Sequence, residues 1–242
     1  MDFLADVVDW LSDNWSGSGG ILDRSREHLW ISFVSVVVAL LIALPPAVLL
    51  GHLRRGGVAA VNVANIGRAL PSFAILVLAF QATGRLGAVP TVIALVALAV
   101  PPIFTNTYVG LREVDGEVRE AAAGMGMSGG QVLRRVELPL AVPLIMAGVR
   151  TSAVQVVATA TLATLIGWGG LGFYIVVGLR VDDDVQVFGG ALAVVVLALL
   201  VDGVLAIAQR LLTPRAAPAA GARPFEIEAL TAGDPHPVPG AV

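Results

Sequence analysis

The sequence predicts an all-α, polytopic membrane protein with about five transmembrane helices. Three observations predict it. Of 242 residues, 57% are hydrophobic and only 14% charged, with a mean hydropathy of +0.85. Soluble domains carry roughly 25% charged residues, and a soluble fold cannot hide this much apolar surface. The apolar residues also gather in runs near the ~20 residues a helix needs to cross the hydrocarbon core. Those runs hold almost no ionisable side chain.

Composition excludes several chemistries. There is no Cys, and all 15 basic residues are Arg. No disulfide, thiolate metal site or Cys nucleophile is therefore available. Without Lys there is no P-loop and no Schiff base. His28, His52 and His236 are too scattered to read as a metal site from spacing. A net charge of −3 argues against nucleic-acid binding.

Residues 1–28 lack the basic start of a signal peptide and carry Asp2, Asp6, Asp9 and Asp13. Phe3, Leu4, Val7, Val8, Leu11 and Trp15 recur at helical spacing, which predicts an amphipathic helix on the outer interface. The transmembrane part is expected over residues 29–213. Its first span, 29–51, has Pro45-Pro46 near its end, which should kink or break the last turns. The second, about 58–84, is interrupted at Arg68, read as an interfacial residue before a shorter span starting near Ala69. The third, 86–111, contains Pro101-Pro102, and the fourth runs from about 138 past Arg150 to 166. Residues 167–179 are apolar but Gly-rich and read as re-entrant or interfacial. The fifth span, about 185–212, carries Asp202. Residues 214–242, rich in Pro, Ala and Gly, read as a disordered cytoplasmic tail.

Loop charge sets the expected orientation. With five spans, Arg54, Arg55, Arg112, Arg119, Arg134, Arg135, Arg210 and Arg215 fall on one side. The other side holds Arg24, Arg26, Arg85 and Arg180 among many acids, including Asp182, Asp183 and Asp184. The N-terminus is therefore expected outside and the C-terminus in the cytoplasm.

The cytoplasmic loop, residues 112–139, is the most informative segment. Glu120-Ala121-Ala122-Ala123 is strong helix sequence, and Gly124, Gly126 and Gly129-Gly130 should end that helix. Gln131 to Val136 can form a second short helix, after which Leu138-Pro139 opens the next span. From spacing alone, a hairpin packed only on its own bundle is as good a reading as a partner-binding one.

The pattern resembles the signature of binding-protein-dependent ABC importer permeases. That signature reads Glu-Ala-Ala, three residues, Gly, nine residues, Ile, one residue, Leu-Pro. Here Glu120, Ala121, Ala122, Gly126, Val136, Leu138 and Pro139 fall at that spacing, with Val136 for Ile. Leu70-Pro71-Ser72-Phe73, Asn106 to Leu111, Ala147 to Thr151 and Ile166 to Gly172 look like the osmoprotectant subgroup, which imports glycine betaine, choline, carnitine and similar quaternary amines. The likeness covers roughly residues 30–212.

The resemblance implies a type I ABC importer permease fold in the bacterial cytoplasmic membrane, and no enzymatic role for this chain. ATPase subunits, which bind the ATP and Mg, would dock on the hairpin around Glu120 to Gly126. This chain itself would hold no cofactor. An external solute-binding protein would deliver solute, and a second permease subunit, identical or different, would complete the pathway.

Pathway candidates follow from breaks and polar residues inside spans. Pro71, Pro101 and Pro102 interrupt helical hydrogen bonding, and Ser72, Thr105 and Asn106 lie beside them. Phe73, Phe104, Tyr108, Trp168 and Tyr174 are the aromatics near these segments, and quaternary ammonium ions favour aromatic faces. The high-affinity cage is nonetheless expected in the binding protein, with Trp168 and Tyr174 equally read as interfacial anchors. Arg150 and Asp202 lie at comparable depth and are expected to form an ion pair between spans four and five. Gly167 to Gly172 reads either as a tight turn or as a docking loop for the binding protein. Two rival readings are a permease for an amino acid or another small solute, and a structural membrane protein without transport.

Overall fold

A computed structural model describes residues 2–69 and 71–213, without the side chains of Asp2, Ala59, Val61 and Arg68. The expected disordered tail and interfacial Arg68 side chain lie outside the described residues, as does Leu70. Among the described residues there is no strand. In chain order the helices are α1 (Asp2–Asp13), α2 (Ile21–His52), α3 (Gly57–Ala69), α4 (Ser72–Thr83) and α5 (Ala88–Arg112). Then follow α6 (Gly116–Gly124), α7 (Gly129–Val132), α8 (Leu138–Thr159), α9 (Gly172–Val181) and α10 (Asp184–Leu212). A π-helical turn, Leu133–Glu137, joins α7 to α8, and a 3₁₀ segment, Ala160–Ile166, extends α8.

Four stretches are long and apolar enough to cross a membrane: Ile21–His52, Ala88–Arg112, Gly129–Ile166 and Asp184–Leu212. The central helix α5 buries large side chains such as Leu95, Ile103 and Leu111, but the helices packed on it meet it with small residues. On α2, Ser35, Ala39, Ala43, Ala47 and Gly51 recur every fourth residue and are all buried, whereas Trp30, Phe33, Leu41 and Leu49 are exposed. Lipid is as apolar as Leu, so helices gain by close backbone approach rather than by hiding large side chains. The small stripe lets α2 lie on α5, and a Cβ at Gly51 would sit 2.8 Å from the Leu111 Cβ. The α5–α8 contact repeats the device, with Gly148 against Asn106 and the Pro102 carbonyl. There Ser152 Oγ also donates to the Ala99 carbonyl at 2.9 Å.

Several expectations need correction. Helix α2 begins at Ile21, through the expected boundary at 28/29, because Asp23, Arg24, Arg26 and Glu27 continue the helix rather than precede it. Pro45 and Pro46 do not end it; it runs on to His52. Each proline costs one hydrogen bond, which packed helices in a membrane tolerate. The second span is not one helix but two, α3 and α4, of 13 and 12 residues. Pro71 (φ −66°, ψ 121°) stands in extended backbone at the N-terminus of α4, where its missing N–H is no loss.

The expected short helix at 131–136 is not separate from the fourth span either; α7, the π turn and α8 form one continuous rod. In an α-helix the Pro139 ring would collide with the Arg135 carbonyl, four residues back. The Leu138 N–H instead bonds the Leu133 carbonyl, five residues back, widening the turn.

The N-terminal helix is amphipathic and leans on α10. Trp10 covers Gly189, and Phe3 meets Phe188 edge-on at 5.5 Å. Val7 is buried, while Leu4, Val8 and Trp15 of the same apolar set remain exposed.

Overpacking a tight core site costs about 1–3 kcal/mol. Gly148→Leu is expected to lower the unfolding midpoint of the purified protein in detergent. Gly203→Leu, where an added Cβ meets nothing within 4 Å, should leave the midpoint unchanged. Thermal unfolding of both variants checks the expectation.

Candidate coupling and permeation sites

The hairpin is built from local rules. Asp115 starts α6 by accepting from the Glu117 N–H at 2.9 Å. Glu117 to Ala123 then supply helix-favouring residues. The helix ends in a Schellman motif: the Gly126 N–H bonds the Ala123 carbonyl at 2.9 Å and the Met127 N–H bonds the Ala122 carbonyl at 3.2 Å. Gly126 takes φ +85°, which explains why the signature wants glycine there. Ser128 and Gln131 form a capping box that starts α7.

Of the signature residues, Ala122 is buried, Glu120, Ala121, Gly124 and Gly126 are exposed, and Val136, Leu138 and Pro139 are half-buried at the root of α8. Met125 at the hairpin tip is 74% exposed. An added Cβ at Gly124 or Gly126 would meet nothing of this chain. The hairpin therefore presents a compact, small-residue surface with one projecting apolar side chain.

Sequence reasoning missed the polar group beneath the hairpin. Glu137, the unspecified residue between Val136 and Leu138, is fully buried. Its carboxylate contacts His52 Nδ1, from the end of α2, and Arg119 Nε, from α6. Arg119 Nη2 also donates to the His52 carbonyl at 3.3 Å. Arg54 donates to the carbonyls of Arg112 and Val114 at 2.7 and 2.6 Å, placing a cation at the C-terminus of α5. No single residue announces this cluster, since His52 and Glu137 lie 85 positions apart.

The second site is a cavity of about 540 Å³ among α3, α4, α5 and α8. Pro101, Pro102, Ser72, Thr105 and Asn106 line it. Thr151, Gln155 and Thr159 of α8, none of them a pathway candidate from the sequence, complete its polar wall. Asn106 Nδ2 donates to the Pro102 carbonyl at 2.9 Å. Among the described residues that line it, none is charged or aromatic.

Pro71, Phe73 and Tyr108 do not line the cavity. Pro71 and Phe73 are exposed, and Tyr108 is buried in the core shared by α2 and α5. Phe104 is buried there too, and Trp168 packs against that core. Tyr174 lies between Trp10 and Phe173 and donates to the Gly19 carbonyl at 2.7 Å. The aromatics singled out in the sequence thus form no cage around the cavity.

Beside the cavity, on the same helix α8, Thr151 and Gln155 also border a second hollow that contains Arg150 and Asp202. Those two side chains meet in a bidentate pair across α8 and α10. Arg150 Nη2 donates to Asp202 Oδ2 at 2.6 Å, and Arg150 Nε to Oδ1. A planar guanidinium suits such a fork. The glycine loop after α8 is fastened to α2: Glu27 Oε2 accepts from the Gly170 N–H at 2.9 Å, and Gly170 takes φ +88°. His28 bridges the Leu171 N–H, at 3.3 Å from Nδ1, and the Val157 carbonyl, at 2.8 Å from Nε2. A neutral imidazole with its proton on Nε2 satisfies both contacts.

A bundle of membrane-length apolar helices, with a polar cavity that no described charge lines and a projecting, small-residue hairpin, fits a membrane transport component. The chain belongs to the family of binding-protein-dependent transport system inner membrane components, whose model matches residues 35–218. It is 42% identical over 200 residues to a glycine betaine/carnitine/choline transport system permease protein of Bacillus subtilis, covering 83% of this chain and 92% of that one. It is 42% identical over 208 residues to a choline transport system permease protein of the same organism, covering 86% and 94%. An osmoprotectant import permease protein of Salmonella typhimurium is 38% identical over 196 residues, 80% of this chain and 83% of that one. The fold matches a chain of the methionine ABC transporter MetNI in an inward-facing conformation, with a TM-score of 0.69 and 22% identity over 80% of this chain and 96% of that one. The chain is thus the permease component of an ABC importer, an integral membrane protein.

An unpaired charge in a membrane helix is costly, and a neutral pair of groups is far less so. Asp202→Asn, which leaves Arg150 without its carboxylate, should lower the unfolding midpoint in lipid nanodiscs more than the double variant Arg150→Gln/Asp202→Asn. Equal loss in the single and double variants would mean that leaving Arg150 unpaired carries no penalty of its own.

Proposed function

We propose that this permease imports quaternary-amine osmoprotectants such as glycine betaine, choline or carnitine. The names of relatives that align over four fifths or more of the chain carry this reading. The polar cavity, whose described lining residues carry no charge, agrees with it. A fixed charge would repel or trap a charged solute, whereas hydroxyls and amides give the weak contacts a conduit needs. Tight selection then belongs to the external solute-binding protein.

In this reading the hairpin end of the bundle faces the cytoplasm and α1 lies at the outer face. Two ATPase subunits seat the hairpins of two permease chains, either two copies of this one or this one with a paired relative. ATP and Mg are bound in the ATPases and this chain holds no cofactor. ATPase closure pushes the hairpins, and the spans exchange inward and outward access around the cavity.

The test is ATP-driven uptake in proteoliposomes carrying the chain with its ATPase and binding protein. Labelled glycine betaine, choline and carnitine should accumulate, and methionine should not. Uptake of methionine in preference would overturn the solute class. Gly124→Leu is the clean probe of the seat, because the position is helical and open within this chain. At Gly126 the positive φ would strain the turn itself. Gly124→Leu should leave the isolated permease as stable as the parent while abolishing co-purification with the ATPase. Retained association would remove this surface from the contact.

A further inference from the structure

We propose that Glu137 is a positioning residue for coupling: its buried carboxylate, shared by His52 and Arg119, makes the hairpin and the ends of α2 and α8 move as one body. The inference deepens the reading of the hairpin as the ATPase seat and rests on it.

The geometry carries it. A buried carboxylate is tolerated only when paired and hydrogen-bonded. Glu137 is fully buried and touches His52 Nδ1 and Arg119 Nε. These partners belong to different elements. Arg119 sits in the middle of α6, on the hairpin itself. His52 is the last residue of α2, a membrane span far away in sequence. Glu137 itself closes the π-helical turn from which α8 continues. The end of α2, the hairpin helix α6 and the root of α8 thus converge on one carboxyl group.

The other ties between α6 and the spans are slight. The Arg119 contact to the His52 carbonyl joins the same two elements but uses the same guanidinium. Arg54 fastens the end of α2 to the last carbonyl of α5 and to the Val114 carbonyl at the root of the hairpin, not to α6 itself. Displacement of α6 reaches α8 directly along the chain and α2 through the packing of α2 on α5 and α8; Glu137 adds a direct charged tie between the hairpin and the end of α2. Without the carboxylate, the end of α2 would follow the hairpin less closely, through helix packing alone. ATP would be spent with less solute moved.

The measurement uses the full complex in proteoliposomes, with ATP hydrolysis and solute uptake read in the same vesicles. Glu137→Gln keeps the shape and removes the charge. It should retain hydrolysis while lowering uptake per ATP by at least about fivefold, the low end of ordinary allosteric coupling. Unchanged uptake per ATP in an intact complex overturns the proposal. If Glu137→Gln does not assemble, His52→Ala supplies the same readout from the α2 side, with the same expected and overturning results.

Restraint should restore what charge removal destroys. The chain has no Cys, so His52→Cys/Glu137→Cys introduces its only thiols. A short bifunctional thiol crosslinker across them should raise uptake per ATP above that of the uncrosslinked double variant; no gain on crosslinking counts against the latch.

Hydrogen exchange separates this proposal from the solute reading, because it needs no transport. In the purified full chain, Glu137→Gln should speed exchange in α6 and in the last turn of α2 together. Acceleration confined to α6 would overturn the latch. A parent complex that hydrolyses ATP but moves no quaternary amine would overturn only the solute class.

Discussion

The structure depends on close backbone approach between helices in a solvent that gives no reward for hiding leucine. Lipid tails match apolar side chains, so packing and buried hydrogen bonds must hold the spans together. The residues at the contacts follow from that. Ser35, Ala39, Ala43, Ala47 and Gly51 bring α2 onto α5, and Gly148 brings α8 against Asn106 and Pro102. Larger side chains such as Phe33, Leu41 and Leu199 are left outside. The cavity and the hairpin are both consequences of this scaffold: one is where the tight contacts open, the other is where the rods leave the apolar belt.

Irregular backbone appears where a neighbouring group satisfies it. The π turn before α8 makes room for Pro139 and also presents Glu137 inward to His52 and Arg119. The positive φ of Gly170 lets the loop after α8 reach Glu27, while His28 holds Leu171 and Val157. Pro101 and Pro102 sit on the cavity wall rather than ending α5. Each of these departures from ideal helix thus coincides with a cavity wall, an ion cluster or a hydrogen-bonded loop, as expected where a membrane tolerates free polar backbone.

Much of this was legible in the sequence. Apolar length and the scarcity of charge disclosed the class. The Glu120 to Pro139 spacing disclosed the hairpin, and the structure supplies its reason: Gly126 is the left-handed residue of a Schellman motif. Depth along two helices brought Arg150 and Asp202 together as candidates, and the two side chains do meet. What stayed hidden depends on tertiary placement. Nothing local marks Glu137 as buried, because its partners come from elements distant in sequence. Nor does local sequence show which face of α8 borders a cavity, so Thr151, Gln155 and Thr159 carry no pathway reading there, while Pro71, Phe73 and Tyr108, which do not line it, carry one. Proline was also a poorer guide than its helix-breaking reputation suggests: Pro45 and Pro46 stay inside α2, while Pro71 divides α3 from α4.

The central claim is that the cavity beside α8 is the solute path and changes its exposure with the ATPase cycle. Gln155 borders both hollows on α8, and in a chain without Cys the variant Gln155→Cys offers a single thiol. Labelling that thiol in oriented proteoliposomes with a water-soluble, membrane-impermeant reagent tests the claim most directly. The account predicts modification from one side without nucleotide and from the opposite side when ATP is trapped, with glycine betaine slowing both. A thiol that no reagent reaches from either side, in any nucleotide state, would contradict it.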